Sequence, residues 1–123
     1  MTFIGSANAD CNLNIERLIS KTNKKDVSRL DRFLKRKAQF NTPSCLAKAL
    51  IHTIRNNNVL ITNYLVSKGT NLDYIDHSTH ESPASLAIKK KDSRLLRKLF
   101  ENNADPKLII EGKTLLDIAT EEK

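Results

Sequence analysis

The 123-residue chain has no tryptophan, two tyrosines, four phenylalanines, three glycines, three prolines and two cysteines. With aromatics at 5 %, its core must come from Leu, Ile, Val and Ala, which suits thin helical layers better than a thick globule. The same scarcity leaves few platforms on which nucleic-acid bases could stack. Gly5, Gly69 and Gly112 are too dispersed to form a phosphate-cradling loop, so nothing supports nucleotide binding. Two cysteines are too few for a disulfide framework, and no charged start followed by an apolar stretch marks a secretory signal. These absences point to a reducing interior, cytoplasm or nucleus. No apolar run approaches the roughly 20 residues that cross a bilayer, so the chain reads as soluble, with no membrane partner.

What is present is enough for one domain, with 39 % hydrophobic residues and a net charge of +7. The charge is local. Residues 21–37 carry eight basic and two acidic side chains and residues 89–98 carry six and one, so the rest of the chain is net acidic. Such a balance favours acidic partners: a protein segment or, less readily, nucleic acid.

The strongest pattern is a return after about a third of the length. Gly69-Thr70-Asn71-Leu72 reappears as Asn103-Ala104-Asp105-Pro106, and Ser82-Pro83-Ala84-Ser85-Leu86-Ala87 as Thr114-Leu115-Leu116-Asp117-Ile118-Ala119. A unit this short cannot bury its own apolar face and must stack on its neighbours.

Residues 1–13 read as a leading arm or cap. Ile15, Leu18 and Ile19 then have helical spacing, and Asp26 opens a helix with Leu30, Phe33 and Leu34 on one face. Thr42-Pro43 starts a helix running to Arg55, Asn56-Asn57-Asn58 breaks it, and a second helix through Ile61 and Leu65 stops at Gly69. Leu72 to Glu81 is expected as a loop with two short extended arms. Ser82-Pro83 opens the next helix, Leu95, Leu96, Leu99 and Phe100 form another apolar face, and Asn103 stands where Gly69 stood. A last loop leads to a helix that runs to Lys123. If the chain ends in a half unit, its exposed edge offers a place for self-association.

These residues resemble the ankyrin repeat, whose units open with Gly-x-Thr-Pro-Leu-His-x-Ala and close on Leu-Leu-x-x-Gly-Ala-Asp. The stretch Glu81-Ser82-Pro83-Ala84-Ser85-Leu86-Ala87-Ile88, with Lys91-Asp92 at the turn and Leu99-Phe100-Glu101-Asn102-Asn103-Ala104-Asp105 at the close, matches best. The resemblance implies an all-α ankyrin-repeat solenoid over residues 14–123, in units of about 14–40, 41–73, 74–107 and a partial 108–123. It implies stacked helix pairs with hairpin fingers, and a non-enzymatic module that binds another protein in a concave groove.

Carried over by position, the resemblance puts Lys24, Arg55, Asn56, Lys89 and Lys90 along that groove as a basic row. The fingers add Tyr74, Ile75, His77, Ser78 and Glu81 from one loop, and Ile109, Ile110 and Lys113 from the next. A partner would present acidic groups to the row and an apolar side chain to Tyr74, Ile75, Ile109 or Ile110. Leu108 to Ile110 has a competing reading, in which it folds back over neighbouring helix ends. A second basic face, Arg29, Arg32, Lys35, Arg36, Arg94, Arg97 and Lys98, falls on the second helices and so on the convex side. It reads first as a solvated surface and otherwise as a nucleic-acid or chromatin-associated contact. A third possibility is an inhibitor similar to the truncated ankyrin proteins that some viruses and intracellular bacteria direct against host transcription factors.

Other constellations fail. His77 and His80 share a loop with Asp73 and Asp76, but the spacing lacks the paired ligands that fix a zinc site. Cys45 near a helix start has no evident histidine base, and His52 reads as a half-buried structural residue. No enzyme activity and no cofactor or metal is expected.

Overall fold

The computed structural model describes residues 27–36 and 42–121. The leading arm, the helix expected around Ile15 to Ile19, and Lys24 lie outside the described residues. Six helices make up most of the rest: α1 (Ser28–Arg36), α2 (Pro43–Arg55), α3 (Val59–Val66), α4 (Pro83–Lys89), α5 (Ser93–Glu101) and α6 (Leu115–Glu121). Two two-residue strands, β1 (Ile109–Ile110) and β2 (Lys113–Thr114), pair antiparallel ahead of α6, with Ile109 opposite Thr114 and Ile110 opposite Lys113. The described residues are therefore all-α apart from this small hairpin.

The starts of α2 to α6 are each set by a side chain that satisfies an otherwise unpaired backbone N–H. Thr42 Oγ1 accepts from Cys45 N at 3.2 Å, Asn58 Oδ1 from Ile61 N at 3.3 Å, and Asp92 Oδ1 from Leu95 N at 3.1 Å. Ser82 and Ser85 cap reciprocally, with Ser85 N donating to Ser82 Oγ and Ser82 N to Ser85 Oγ. Thirty-two positions later Thr114 and Asp117 do the same: Asp117 N donates to Thr114 Oγ1 and Thr114 N to Asp117 Oδ2. The Thr114 N–H, and then the Thr114 side chain, hold the Asp117 carboxyl below its usual range.

Helix ends repeat as well. Asn57 and Lys91 both adopt φ of 57° in the turns after α2 and α4. Gly69 at 84° and Asn103 at 75° do so after α3 and α5. Each pair stands thirty-four positions apart, so the backbone repeats where the sequence changes, with Asn tolerating the left-handed conformation that Gly adopts freely.

Helix α2 packs against α3, α4 against α5, and the first members of the pairs pack on one another in chain order, α2 on α4 and α4 on α6. The core is aliphatic. Leu46, Leu50, Ile51, Ile61, Leu65 and Leu99 are almost fully buried. Leu30 and Leu34 of α1 belong to the same cluster, as do Leu86, Leu115 and Ile118. Side-chain hydrogen bonds between successive units join residues about one repeat apart: Tyr64 to Asp31, Asp105 N to Asp73, and Lys90 to Asn57.

Two expectations are corrected. No strand forms among residues 72–81, where the loop turns on Asp76 N donating to Glu81 O at 2.8 Å and His80 N to Asp76 O at 2.7 Å. Among the described residues, paired strands appear only at 109–114, where consecutive positive φ angles at Glu111 and Gly112 fold a two-residue hairpin turn. Cys45, expected as a reduced thiol, is disulfide-bonded. Because disulfides persist chiefly in oxidising surroundings, the cysteine count no longer argues for a reducing compartment. Among the described residues no helix is long and apolar enough to cross a membrane.

Candidate protein-interaction surfaces

One candidate surface lies where the 72–81 loop meets the ends of α2 and α4. Asp76 Oδ1 accepts from Ser78 N at 2.9 Å and from Ser78 Oγ at 2.8 Å, a local turn that Asp favours. His80 at φ of 58° then redirects the chain. Glu81 is thereby set, with its side chain 17 % exposed, beside the last turn of α2. Arg55 donates to Glu81 Oε1 through Nη2 at 2.7 Å and Nε at 3.2 Å, and through Nη2 to Thr79 Oγ1 at 2.8 Å. Asp76 Oδ2 stands 3.6 Å from the same nitrogen. Lys89 Nζ reaches Glu81 Oε2 at 3.7 Å. Lys90 Nζ donates to Asn57 Oδ1 at 3.0 Å and to the Arg55 carbonyl at 3.4 Å, a favourable place for a cation at a helix C-terminus.

Arg55, Lys89 and Lys90 are thus brought together, as the repeat register suggested, but not as an uncompensated row. Two carboxylates stand among three cations. Burial pushes the Asp76 carboxyl up, yet the Ser78 hydrogen bonds and the Arg55 charge outweigh it and hold the group below its usual range. Asn56 donates its amide to the His52 carbonyl at 2.8 Å, closing the end of α2. His77 and Ser78 are exposed at the loop tip.

The apolar finger residues divide. Tyr74 and Ile75 are half-buried against the core. Burial, with the Asp76 charge behind it, raises the Tyr74 phenol. Ile109 is 56 % exposed, whereas Ile110 is buried in the core and Leu108 packs against it. Ile110 therefore cannot meet a partner, because strand alternation turns it inward where Ile109 turns out. Lys113 pairs with Glu121 at 2.7 Å, which raises its pKa. His80 Nε2 and Glu111 Oε2 stand 3.7 Å apart and link the two loops.

The expected second basic face separates into two patches. On α1, Asp31 accepts from the Tyr64 hydroxyl at 2.7 Å and pairs with Lys35 at 3.1 Å and Lys68 at 3.7 Å. The Tyr64 hydrogen bond, then Lys35, holds the Asp31 carboxyl low, while burial, then that same bond, raises the Tyr64 phenol. Arg29, Arg32, Lys35 and Arg36 surround a hollow of about 550 Å³ beside Phe33. On α5, Arg94, Arg97 and Lys98 have no ion-pair partner among the described residues.

Arg94 and Lys98 line a cleft of about 470 Å³ between α3 and α5, with Val59 and Asn63 opposite and Lys90 and Asp92 at one end. At its floor, Thr62 Oγ1 donates to Thr53 Oγ1 at 3.0 Å and Thr53 Oγ1 to Leu50 O at 2.9 Å, so both buried hydroxyl donors are satisfied. Sequence reading missed this cleft. The available signal was the pair of threonines at otherwise aliphatic helix positions. Among the described residues no group of three or more His, Cys, Asp or Glu side chains is placed to hold a metal ion. No family model, curated protein or solved structure matches the chain.

Proposed function

We propose that the chain is a small ankyrin-repeat solenoid that recognises an acidic segment or surface of a partner protein without catalysis. The observation that carries this reading is the stacking of α2, α4 and α6 in chain order, with loops 72–81 and 107–114 in contact through His80 and Glu111. Turns and caps recurring thirty-two to thirty-four positions apart support it further. A rigid stack loses little entropy on binding and keeps more of its contact energy. The surface around these loops offers Arg55, Lys89 and Lys90 as cations, and Tyr74, Ile75 and Ile109 as apolar contacts. A partner carboxylate would compete with Glu81 for Arg55 and Lys89, so recognition is an exchange of ion pairs rather than capture by free charge.

Panning a random peptide library against the immobilised protein tests the reading. Enriched peptides should be acidic with an interspersed apolar residue, and Lys89→Glu combined with Tyr74→Ala should abolish their retention. Failure to enrich, or enrichment of basic sequences indifferent to that variant, would contradict it. A second reading, contact with nucleic acid, draws on the arginines around the α1 hollow. It requires a gel shift with random duplex that weakens steeply as salt rises.

A further inference from the structure

We propose that the cleft between α3 and α5 is a second docking site for an acidic protein segment, whose carboxylates meet Arg94 and Lys98 while an apolar side chain rests on Val59. Charge complementarity identifies the occupant. Arg94 and Lys98 are one helical turn apart on α5 and share the cleft wall. Neither has an ion-pair partner among the described residues, unlike Arg55 and Lys89, which share Glu81. Lys90 adds a third cation at the cleft end, although its ammonium is already held by Asn57 and the Arg55 carbonyl. Asp92 is the one acidic residue of the lining, and its Oδ1 caps α5. The cations therefore exceed the anions at this cleft, and two of them have no ion-pair partner among the described residues.

The shape selects among acidic ligands. A space of about 470 Å³ between two helices accepts a few side chains, whereas a duplex would have to meet these cations from outside. Val59 is 65 % exposed at the rim, and Ile54 and Leu95 contribute apolar atoms deeper in. Among the described residues no aromatic ring lines the cleft to offer a base a stacking platform. The floor hydroxyls have spent their donors on Thr53 and Leu50, leaving anion binding to the α5 cations. A peptide carrying carboxylates beside a leucine or valine satisfies both walls.

This site shares the partner chemistry of the reading above and, at one end, Lys90, but its principal cations Arg94 and Lys98 are its own, so the two can fail separately. The test is a heteronuclear NMR titration of the isotope-labelled full chain with a short acetylated peptide alternating Glu and Leu. A Gln-for-Glu peptide and a random DNA duplex serve as the other arms. Saturable shifts should appear at the amides of Val59, Asn63, Arg94 and Lys98 with the Glu peptide and not with the Gln peptide. Arg94→Glu with Lys98→Glu should weaken binding at least about tenfold. The milder Arg94→Gln with Lys98→Gln should weaken it in the same direction. Shifts confined to Tyr74, Glu81 and Lys89, no saturation at millimolar peptide, or tighter binding of the duplex at these amides would each overturn the proposal.

Discussion

Replacing Glu81 by Gln asks whether the Arg55 cluster is a structural clamp as well as a contact surface. The carboxylate is mostly shielded, accepts two guanidinium hydrogen bonds at 2.7 and 3.2 Å, and draws Lys89 to 3.7 Å. Hydrogen bonds to charged groups contribute about 1.5–3 kcal/mol. Gln keeps a neutral acceptor of roughly half that strength, and the 38 % exposed Arg55 side chain lets solvent screen the charge. The expected loss is about 1 kcal/mol. With an unfolding entropy near 2.1 cal/mol/K per residue, a 123-residue chain should lose about 4 °C in Tm. The assay is a thermal melt followed by circular dichroism, run with Arg55→Met and the double variant. If the pair acts as a unit, the double variant loses little more than the worse single one. The Glu81→Gln protein should also bind acidic peptides more tightly at this surface, since Arg55 and Lys89 lose their internal carboxylate. An unchanged Tm together with additive single effects would refute the clamp.

Tyr64→Phe removes the hydroxyl held by Asp31 and should cost about 1–2 kcal/mol, read from the urea midpoint. The lowered carboxyls of Asp31 and Asp76 favour the folded state above the unfolded carboxylate pKa near about 4. Stability measured against pH should therefore decline as pH falls below that value and through their folded pKa values. The raised Tyr64 phenol works in the opposite direction: its contribution is complete below about pH 10 and is lost as pH rises further, with ultraviolet titration showing late tyrosine ionisation. Leu99→Ala, at a fully buried position of α5, should cost about 2–5 kcal/mol by chemical denaturation. Asn103→Gly should raise Tm slightly and Gly69→Ala should cost about 1 kcal/mol of stability, because both residues hold positive φ.

Local chemistry made much of the fold legible. Thr42-Pro43 and Ser82-Pro83 announce helix starts because a hydroxyl followed by proline satisfies the first turn, and α2 and α4 begin there. Asn103 was readable as the counterpart of Gly69 because both tolerate the left-handed backbone. Whether residues 72–81 would pair as strands was not legible, since that depends on where Asp76 finds its hydrogen bonds. Nor was the neutralisation of Arg55, which needs Glu81 delivered from twenty-six positions away by that loop. Ile109 and Ile110 were indistinguishable as neighbours in sequence, and only the register of the short hairpin separates outward from inward. The α3 and α5 cleft arises from the spacing between two outer helices, and its one trace in the sequence is Thr53 and Thr62 at otherwise aliphatic helix positions.

Everything functional here rests on successive helix pairs stacking through their first members. Methyl nuclear Overhauser spectroscopy on the full chain tests that most directly. The account predicts cross-peaks between Leu50 or Ile54 of α2 and Leu86 or Ala87 of α4, and between α4 and Leu115 or Ile118 of α6. Cross-peaks that place α6 against α3, or α5 in the position of α4 beside α2, would contradict it.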